Sequence, residues 1–281
     1  MVSIKTKEAL KNRLSSLKKN ASLGLVPTMG ALHLGHASLI EKAIAENEYV
    51  VVSIFVNPTQ FNNPEDLLKY PKTLTEDLVL IKNISPEIIV FTPSVTEIYD
   101  TTAKSKTYAF NGLEKVMEGA FRAGHFNGVA TIVEALFLLI EPKKAYFGEK
   151  DFQQLRIIEK LTELQNLPVK IIGCPIIREP HGLAMSSRNE RLDPVLRKKA
   201  SFIFETLMAA KQKFGMENAI KTKQWVAAEY KKHPDFKLEY FEITDVATLT
   251  PIQQKIQNTK YRAFIAVFAD DVRLIDNIAL N

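Results

Sequence analysis

Two histidines, His33 and His36, lie three positions apart in Val-Pro-Thr-Met-Gly-Ala-Leu-His-Leu-Gly-His, which runs from Val26 to His36. In a helical turn that spacing puts both rings on one face. Two imidazoles so placed can donate hydrogen bonds to triphosphate oxygens and stabilise charge as pyrophosphate leaves. The stretch follows a short apolar run, Leu23 to Val26, that ends at Pro27. It leads into a helix-like pattern, His36 to Asn47, with Leu39, Ile40, Ala43 and Ile44 on one face. The N-terminus of such a helix offers unpaired N–H groups and a partial positive charge, both suited to phosphate. Gly30 and Gly35 let the backbone pass close to a ligand. The stretch is not a Walker A loop, because the G-K-[ST] ending is absent, and it lacks G-x-G-x-x-G. Its alternative is a plain strand–turn–helix connection with two surface histidines.

Two further segments supply chemistry of the same kind. Tyr-Phe-Gly-Glu-Lys-Asp, from Tyr146 to Asp151, ends one strand and starts another helix. Lys150 there can act as a point charge on a transferring phosphate. Asp151 and Gln154 have the spacing of a capping box, and capping alone would explain both. Ala-Met-Ser-Ser-Arg-Asn, from Ala184 to Asn189, lies on an irregular stretch. Ser186 and Ser187 can donate to phosphate oxygens, and Arg188 can make a forked contact. By itself that segment reads as a polar linker. The H-x-G-H signature belongs to a nucleotidyl-transferring group that includes class I aminoacyl-tRNA synthetases, where it is paired with a mobile loop rich in Lys and Ser.

These residues need a scaffold, and the first two-thirds of the chain describes one. Tyr49 to Val56 is a continuous β-branched run, as suits a strand buried on both faces of a parallel sheet. Helical patterns at Leu74 to Ile81, Asn127 to Ile140 and Phe152 to Asn166 alternate with strands at Glu87 to Phe91, Ala145 to Phe147 and Val169 to Cys174. The alternation predicts a doubly wound α/β domain with a mostly parallel sheet, Rossmann-like, of the H-x-G-H nucleotidyltransferase type. After Pro175 the pattern changes. Asp193 and Pro194 open a helix as N-cap and first helical residue, and a second helix runs from about Glu217 to His233. Three strands follow, at Phe236 to Thr244, Tyr261 to Phe268 and Val272 to Asn277. Residues 177–281 are thus expected to form a smaller C-terminal α+β domain beside a first domain of residues 1–176.

Composition removes several function classes. Thirty-seven basic and 32 acidic residues leave a formal charge of +5, spread along the chain rather than gathered on one element. Nucleic-acid binding is therefore not expected. The lone cysteine, Cys174, excludes an intramolecular disulfide and sits among isoleucines as a buried small hydrophobe. No Cys/His spacing suggests a structural zinc site, and no residue is assigned to a metal. The N-terminus lacks the apolar core of a signal peptide, and no apolar run reaches the ~18 residues of a membrane span. A cytoplasmic location without membrane partners follows by default.

Taken together, six stretches resemble the pantothenate synthetase (pantoate–β-alanine ligase) family. They are Pro27 to His36, Val56 to Phe61 (Val-Asn-Pro-Thr-Gln-Phe), Tyr70-Pro71, Arg122 to Val129, Gly148 to Leu155 and Met185 to Asn189. They occur in family order over the first two-thirds of the chain and are specific as a set. The C-terminal third matches by size alone, as a small lid-like domain. The resemblance implies ATP-dependent condensation of (R)-pantoate with β-alanine to pantothenate, AMP and pyrophosphate through a pantoyl adenylate, in the biosynthesis of this coenzyme A precursor. It implies ATP as substrate, Mg²⁺ accompanying it, and a cytoplasmic homodimer.

Residue by residue, the resemblance assigns charge stabilisation on the transferring phosphate to His36, with His33 and Lys150 beside it. ATP contacts are implied for Met29, Gly30, Ala31, Leu32, His33, Leu34, Gly35, His36, Gly148, Glu149, Lys150, Asp151, Ile177, Met185, Ser186, Ser187 and Arg188. Gln60 and Gln154 match the amides that hold pantoate, with Asn57 and Arg122 as weaker candidates. Asn57 equally suits the start of a turn before Pro58, and Arg122 a surface charge. One departure stands out: Ala123 occupies a position where the family usually has proline. Three rivals stay open. One is another adenylate-forming enzyme on the same scaffold. A second is a class I tRNA synthetase, for which the ~100 residues after the boundary leave little room. The third is a basic RNA- or nucleotide-binding module without turnover.

Overall fold

The computed structural model describes residues 3–99 and 102–281. The chain divides into two compact units. The first holds the residues through Glu114, then Glu118–Glu149 and Gln154–Pro175; the second holds Lys115–Met117, Lys150–Gln153 and Ile176–Asn281.

In the first unit β1 (Ser3–Ile4) and α1 (Lys7–Ser15) precede β2 (Leu23–Thr28), α2 (Leu34–Glu46) and β3 (Tyr49–Ile54). There follow α3 (Pro64–Lys69), α4 (Leu74–Ile84), β4 (Ile89–Phe91), α5 (Val95–Tyr99), α6 (Glu118–Phe121) and α7 (His125–Ile140). The unit closes with β5 (Lys144–Gly148), α8 (Phe152–Leu164), whose first two residues belong to the second unit, and β6 (Lys170–Cys174). The strands form one sheet in the order β1-β4-β3-β2-β5-β6, and every pair is parallel. From β2 the chain builds outward through β3 and β4, and then returns to β2's other side with β5 and β6. The β2–β5 boundary is therefore a topological switch point, where ligands meet the carboxyl ends of strands.

The expected α/β fold is present, with shifted boundaries. β2 continues past Val26 through Pro27 and Thr28. Pairing to β5 involves only Gly24 and Leu25, so Pro27 lies where β3 is the sole neighbour and its missing N–H costs no bond on the β5 side. Val50, Val51 and Val52 of β3 are buried on both faces, as their β-branched run implies. α2 begins at Leu34, ahead of the expected His36. Its Leu39, Ile40 and Ala43 pack with Val26, Val52, Tyr146 and Cys174 in the core, whereas Ile44 is exposed. Burial pushes the Cys174 thiol up to about 11, which makes it an inert packing residue.

The second unit contains α9 (Pro194–Lys199), α10 (Ser201–Met216), α11 (Ala219–Tyr230) and the strands β7 (Phe236–Asp245), β8 (Tyr261–Ala269) and β9 (Val272–Ala279). The strands form an antiparallel sheet in the order β7-β8-β9. Asp193 caps α9 as its sequence implies, accepting from the Val195 and Leu196 N–H groups at 2.8 and 3.3 Å. The helix expected after Pro194 is two helices that meet at Ala200. Ile203, Leu207, Ala210 and Phe214 of α10 join Val226 and Tyr230 of α11 against Ile243, Ala263, Ile265 and Leu274 of the sheet.

Candidate active site

The Pro27–His36 turn leaves the carboxyl end of β2 at the switch point. Gly30 and Ala31 both adopt left-handed backbone, with φ of 79° and 50°. For a residue with a Cβ this costs on the order of 1–2 kcal/mol, so something must hold Ala31 there. Asp77 of α4 does so. Its Oδ2 accepts from the Ala31 N–H at 3.0 Å and its Oδ1 from the Leu32 N–H at 2.7 Å. Thr73 donates a third bond at 3.2 Å. A Cβ on Gly30 would stand 2.9 Å from Asp77 Oδ2, so glycine is needed for this approach as well as for its φ. Burial raises the Asp77 carboxyl above the usual range, even though the Leu32, Ala31 and Thr73 bonds oppose that shift. The sequence gives little sign of this residue, which reads as one of two acids in the first turn of a helix.

The helix start itself fixes the histidines. His33 is the N-cap of α2. Its Nδ1 accepts from the Gly35 N–H at 3.1 Å, and His36 Nδ1 accepts from the His33 N–H at 3.3 Å. A neutral imidazole that accepts at Nδ1 carries its proton on Nε2. The cap therefore sets both tautomers and leaves Nε2–H as the donating edge of each ring. The ring centroids are 4.1 Å apart. Both rings thus sit at a helix N-terminus, the kind of place that suits an anion, in an arrangement that a bare H-x-x-H spacing does not guarantee.

Next to this turn lies the pantoate-matching segment. Asn57 caps a 3₁₀ turn, Pro58–Gln60, and its side chain is fully buried. Its side chain does start the turn, accepting from the Thr59 N–H at 3.4 Å. Gln60 is also buried, and its Nε2 lies 2.8 Å from Met29 Sδ of the Pro27–His36 turn. Arg122 is no loose surface charge. It contacts Glu118 at 3.5 Å, His125 Nε2 at 3.1 Å and the Gln60 carbonyl at 3.5 Å. His125 Nδ1 meets the same carbonyl at 2.7 Å. That carbonyl needs a donor, so Nδ1 bears the proton and Nε2 accepts from Arg122. His125 and Gly128 lie inside the matching Arg122–Val129 stretch, but only the structure shows them backing Gln60.

Gly148 and Glu149 sit half-buried where β5 ends, on the strand next to β2. Gln154 lies in the first unit on α8 and is half-buried.

The remaining candidates lie in the second unit. Lys150 is 18% exposed and lies 3.7 Å from Asp151, and its carbonyl accepts from Asn277 Nδ2 of β9 at 2.8 Å. From Ile177 the chain makes a narrow loop. The Met185 N–H donates to the Ile177 carbonyl at 3.0 Å, Arg178 bridges Ala184, and Gly182 turns with φ of 107°. Ser186 Oγ accepts from the Arg188 N–H at 3.3 Å, which keeps its proton available to donate. Ser187 is buried and Arg188 half-buried. Behind them Asn189 donates to Glu179 at 2.8 Å and to the Ala184 carbonyl at 3.1 Å. Burial alone would raise the Glu179 carboxyl, but its bonds from Arg197 and Asn189 outweigh that and hold it below the usual range. Arg178 clamps the buried Asp276 through two nitrogens at 2.6 and 3.0 Å.

Comparison with known proteins gives a consistent result. The family described as Pantoate-beta-alanine ligase matches residues 2–279. The pantothenate synthetase of Christiangramia forsetii is 54% identical over 276 residues, 98% of each chain. The crystal structure of pantothenate synthetase from Thermus thermophilus superposes with a TM-score of 0.91 at 37% identity, covering 100% of this chain and 99% of that one. The pantoate-beta-alanine ligase of Francisella tularensis, complexed with beta-gamma ATP and beta-alanine, has a TM-score of 0.84 at 36% identity and covers 100% and 98%.

Proposed function

The chain belongs to the pantoate-beta-alanine ligase family, and from that premise we propose how its own residues carry the ATP-dependent joining of pantoate to β-alanine in pantothenate biosynthesis. A pantoate carboxylate oxygen attacks the α-phosphorus of ATP, pyrophosphate leaves, and pantoyl adenylate forms. The neutral amine of β-alanine then attacks the acyl carbon, AMP leaves, and the nitrogen loses a proton.

The observation that carries the assignment is the reciprocal histidine cap. His33 and His36 present Nε2–H donors where negative charge grows on the phosphates, and their orientation is fixed before substrate arrives. Met29 to Gly35 supply backbone contact to ATP, and Lys150 adds a point charge on the transferring phosphate. Gly148, Glu149, Asp151, Ile177, Met185, Ser186, Ser187 and Arg188 supply further ATP contacts. Gln60 and Gln154 hold pantoate, while Asn57 and Arg122 act behind Gln60.

Mg²⁺ arrives on the phosphate oxygens as part of the substrate. Residues 1–176 and 177–281 serve as the larger and smaller domains. No helix among the described residues is long and apolar enough to cross a membrane. A cytoplasmic homodimer follows from the family resemblance, and sedimentation equilibrium tests the dimer.

The chemical test mixes the purified chain with Mg-ATP and pantoate, with and without β-alanine. Pyrophosphate should form only with pantoate, and AMP should accumulate over many turnovers only when β-alanine is added. AMP release that ignores pantoate would overturn the two-step scheme.

A further inference from the structure

On the reading of Gln60 as a pantoate contact, we infer that Tyr99 is a positioning residue that, through Asn57, fixes the Gln60 amide as a hydrogen-bond donor to a substrate oxygen. An amide side chain offers a donor and an acceptor, and the residue type alone leaves open which one faces the ligand. Here the surrounding network decides.

Two backbone groups whose polarity is not in question identify the two ends of the Asn57 amide, and the Tyr99 and Thr59 hydroxyls add to its hold through Oδ1. Its Oδ1 accepts from the Thr59 N–H at 3.4 Å, and its Nδ2 donates to the Gly128 carbonyl at 3.0 Å. The second contact depends on close approach of α7 to the 3₁₀ turn, because a Cβ on Gly128 would fall 2.3 Å from the Thr59 carbonyl oxygen. The Tyr99 hydroxyl of α5 donates to Asn57 Oδ1 at 2.5 Å. Burial pushes the phenol above its usual pKa, so it keeps the proton it donates.

With Oδ1 fixed as acceptor, the other Nδ2 proton points to Gln60 at 3.1 Å, and the atom that receives it must be Oε1. Gln60 Oε1 is therefore engaged, and Nε2 is turned the other way, toward Met29 Sδ. A thioether is a weak acceptor, readily displaced by a hydroxyl or carboxylate oxygen. The Gln60 backbone is held as well, because its carbonyl takes His125 Nδ1. The group that Gln60 reads must then offer a lone pair, as pantoate's carboxylate and hydroxyl oxygens do.

The test measures KM for pantoate and for ATP, with a thermal melt for each protein, in Q60A, Q60E and Y99F. Q60A should raise the pantoate KM at least tenfold and leave the ATP KM within twofold. An unchanged pantoate KM in Q60A would overturn the pantoate reading of Gln60 itself. Given the Q60A effect, Q60E should be as defective as Q60A at pH 8, where the new side chain only accepts. Q60E, unlike Q60A, should regain pantoate binding as acid restores a donating hydroxyl. A pantoate KM within threefold of wild type for Q60E at pH 8 would overturn the donor assignment. Y99F should raise the pantoate KM three- to tenfold at unchanged ATP KM. Equal change in both constants, or in neither, would remove Tyr99 from the relay.

Discussion

The turn from Val26 to His36 and the segment from Ile177 to Arg191 each carry residues proposed to contact ATP, yet they are held in shape by different means. In the first, the backbone does the positioning. Gly30 and Ala31 are left-handed, the Ala31 and Leu32 N–H groups are tied to one buried carboxylate, and the helix cap orients both imidazoles. In the second, charged side chains do it: Glu179 gathers Arg197 and Asn189, and Arg178 grips Asp276. A site held by backbone is rigid and tolerates few substitutions at its glycines. One held by ion pairs depends on residues far along the chain, and losing one partner strands the other.

The largest expected effect tests that dependence. D276A leaves the mostly buried Arg178 without its partner, and should destabilise the protein by about 3–5 kcal/mol. Chemical denaturation checks this, and a loss below about 1 kcal/mol would show that the pair does not hold the segment. H36A addresses the first region. It should slow adenylation by roughly 10²–10³-fold, while the melting temperature falls only by what loss of one half of the α2 cap explains.

A smaller effect sharpens the role of strain. D77N keeps one acceptor but sets an NH₂ group against a backbone N–H. It should raise the ATP KM about tenfold, equivalent to ~1.4 kcal/mol, and leave the pantoate KM within twofold. The stability sign is opposite. Burial raises the folded-state pKa of Asp77, so ionising it costs stability; that cost is absent below the usual carboxylate pKa and grows as pH rises through the raised folded value. D77N does not ionise, so it should flatten this part of the pH–stability curve. A parallel curve would separate Asp77 from the effect. The smallest change is A123P, in the turn that leads into α7. Restoring the family's usual proline should raise stability by about 0.4–1 kcal/mol through the unfolded chain, read as a small rise in melting temperature.

The contrast also explains what can be read from the residues in order. The histidine turn is local: strand, glycines, imidazoles and helix follow one another, so its chemistry is legible without a fold. The same holds for Asp193 as a cap and for Cys174 as a core residue. Asp77 is not legible, because an acid beside Glu76 in a first helical turn already has an explanation in the helix dipole. Arg178–Asp276 joins residues 98 positions apart, and nothing in either neighbourhood marks the pairing. α1 leaves no amphipathic pattern because Leu10 is its one buried residue, and β1 is too short to show a period. The break at Ala200 leaves no mark because helix formers continue on both sides of it. Asn57 reads both ways in sequence, and the structure adds its contacts with Thr59, Gly128 and Gln60.

The most direct test of the account separates the two half-reactions in H36A. Single-turnover pyrophosphate formation from Mg-ATP and pantoate is measured first, and then pantothenate formation from supplied pantoyl adenylate and β-alanine. Pyrophosphate formation should fall by roughly 10²–10³-fold while the supplied adenylate is consumed at near wild-type rate. Equal slowing of both halves, or normal pyrophosphate formation, would contradict this.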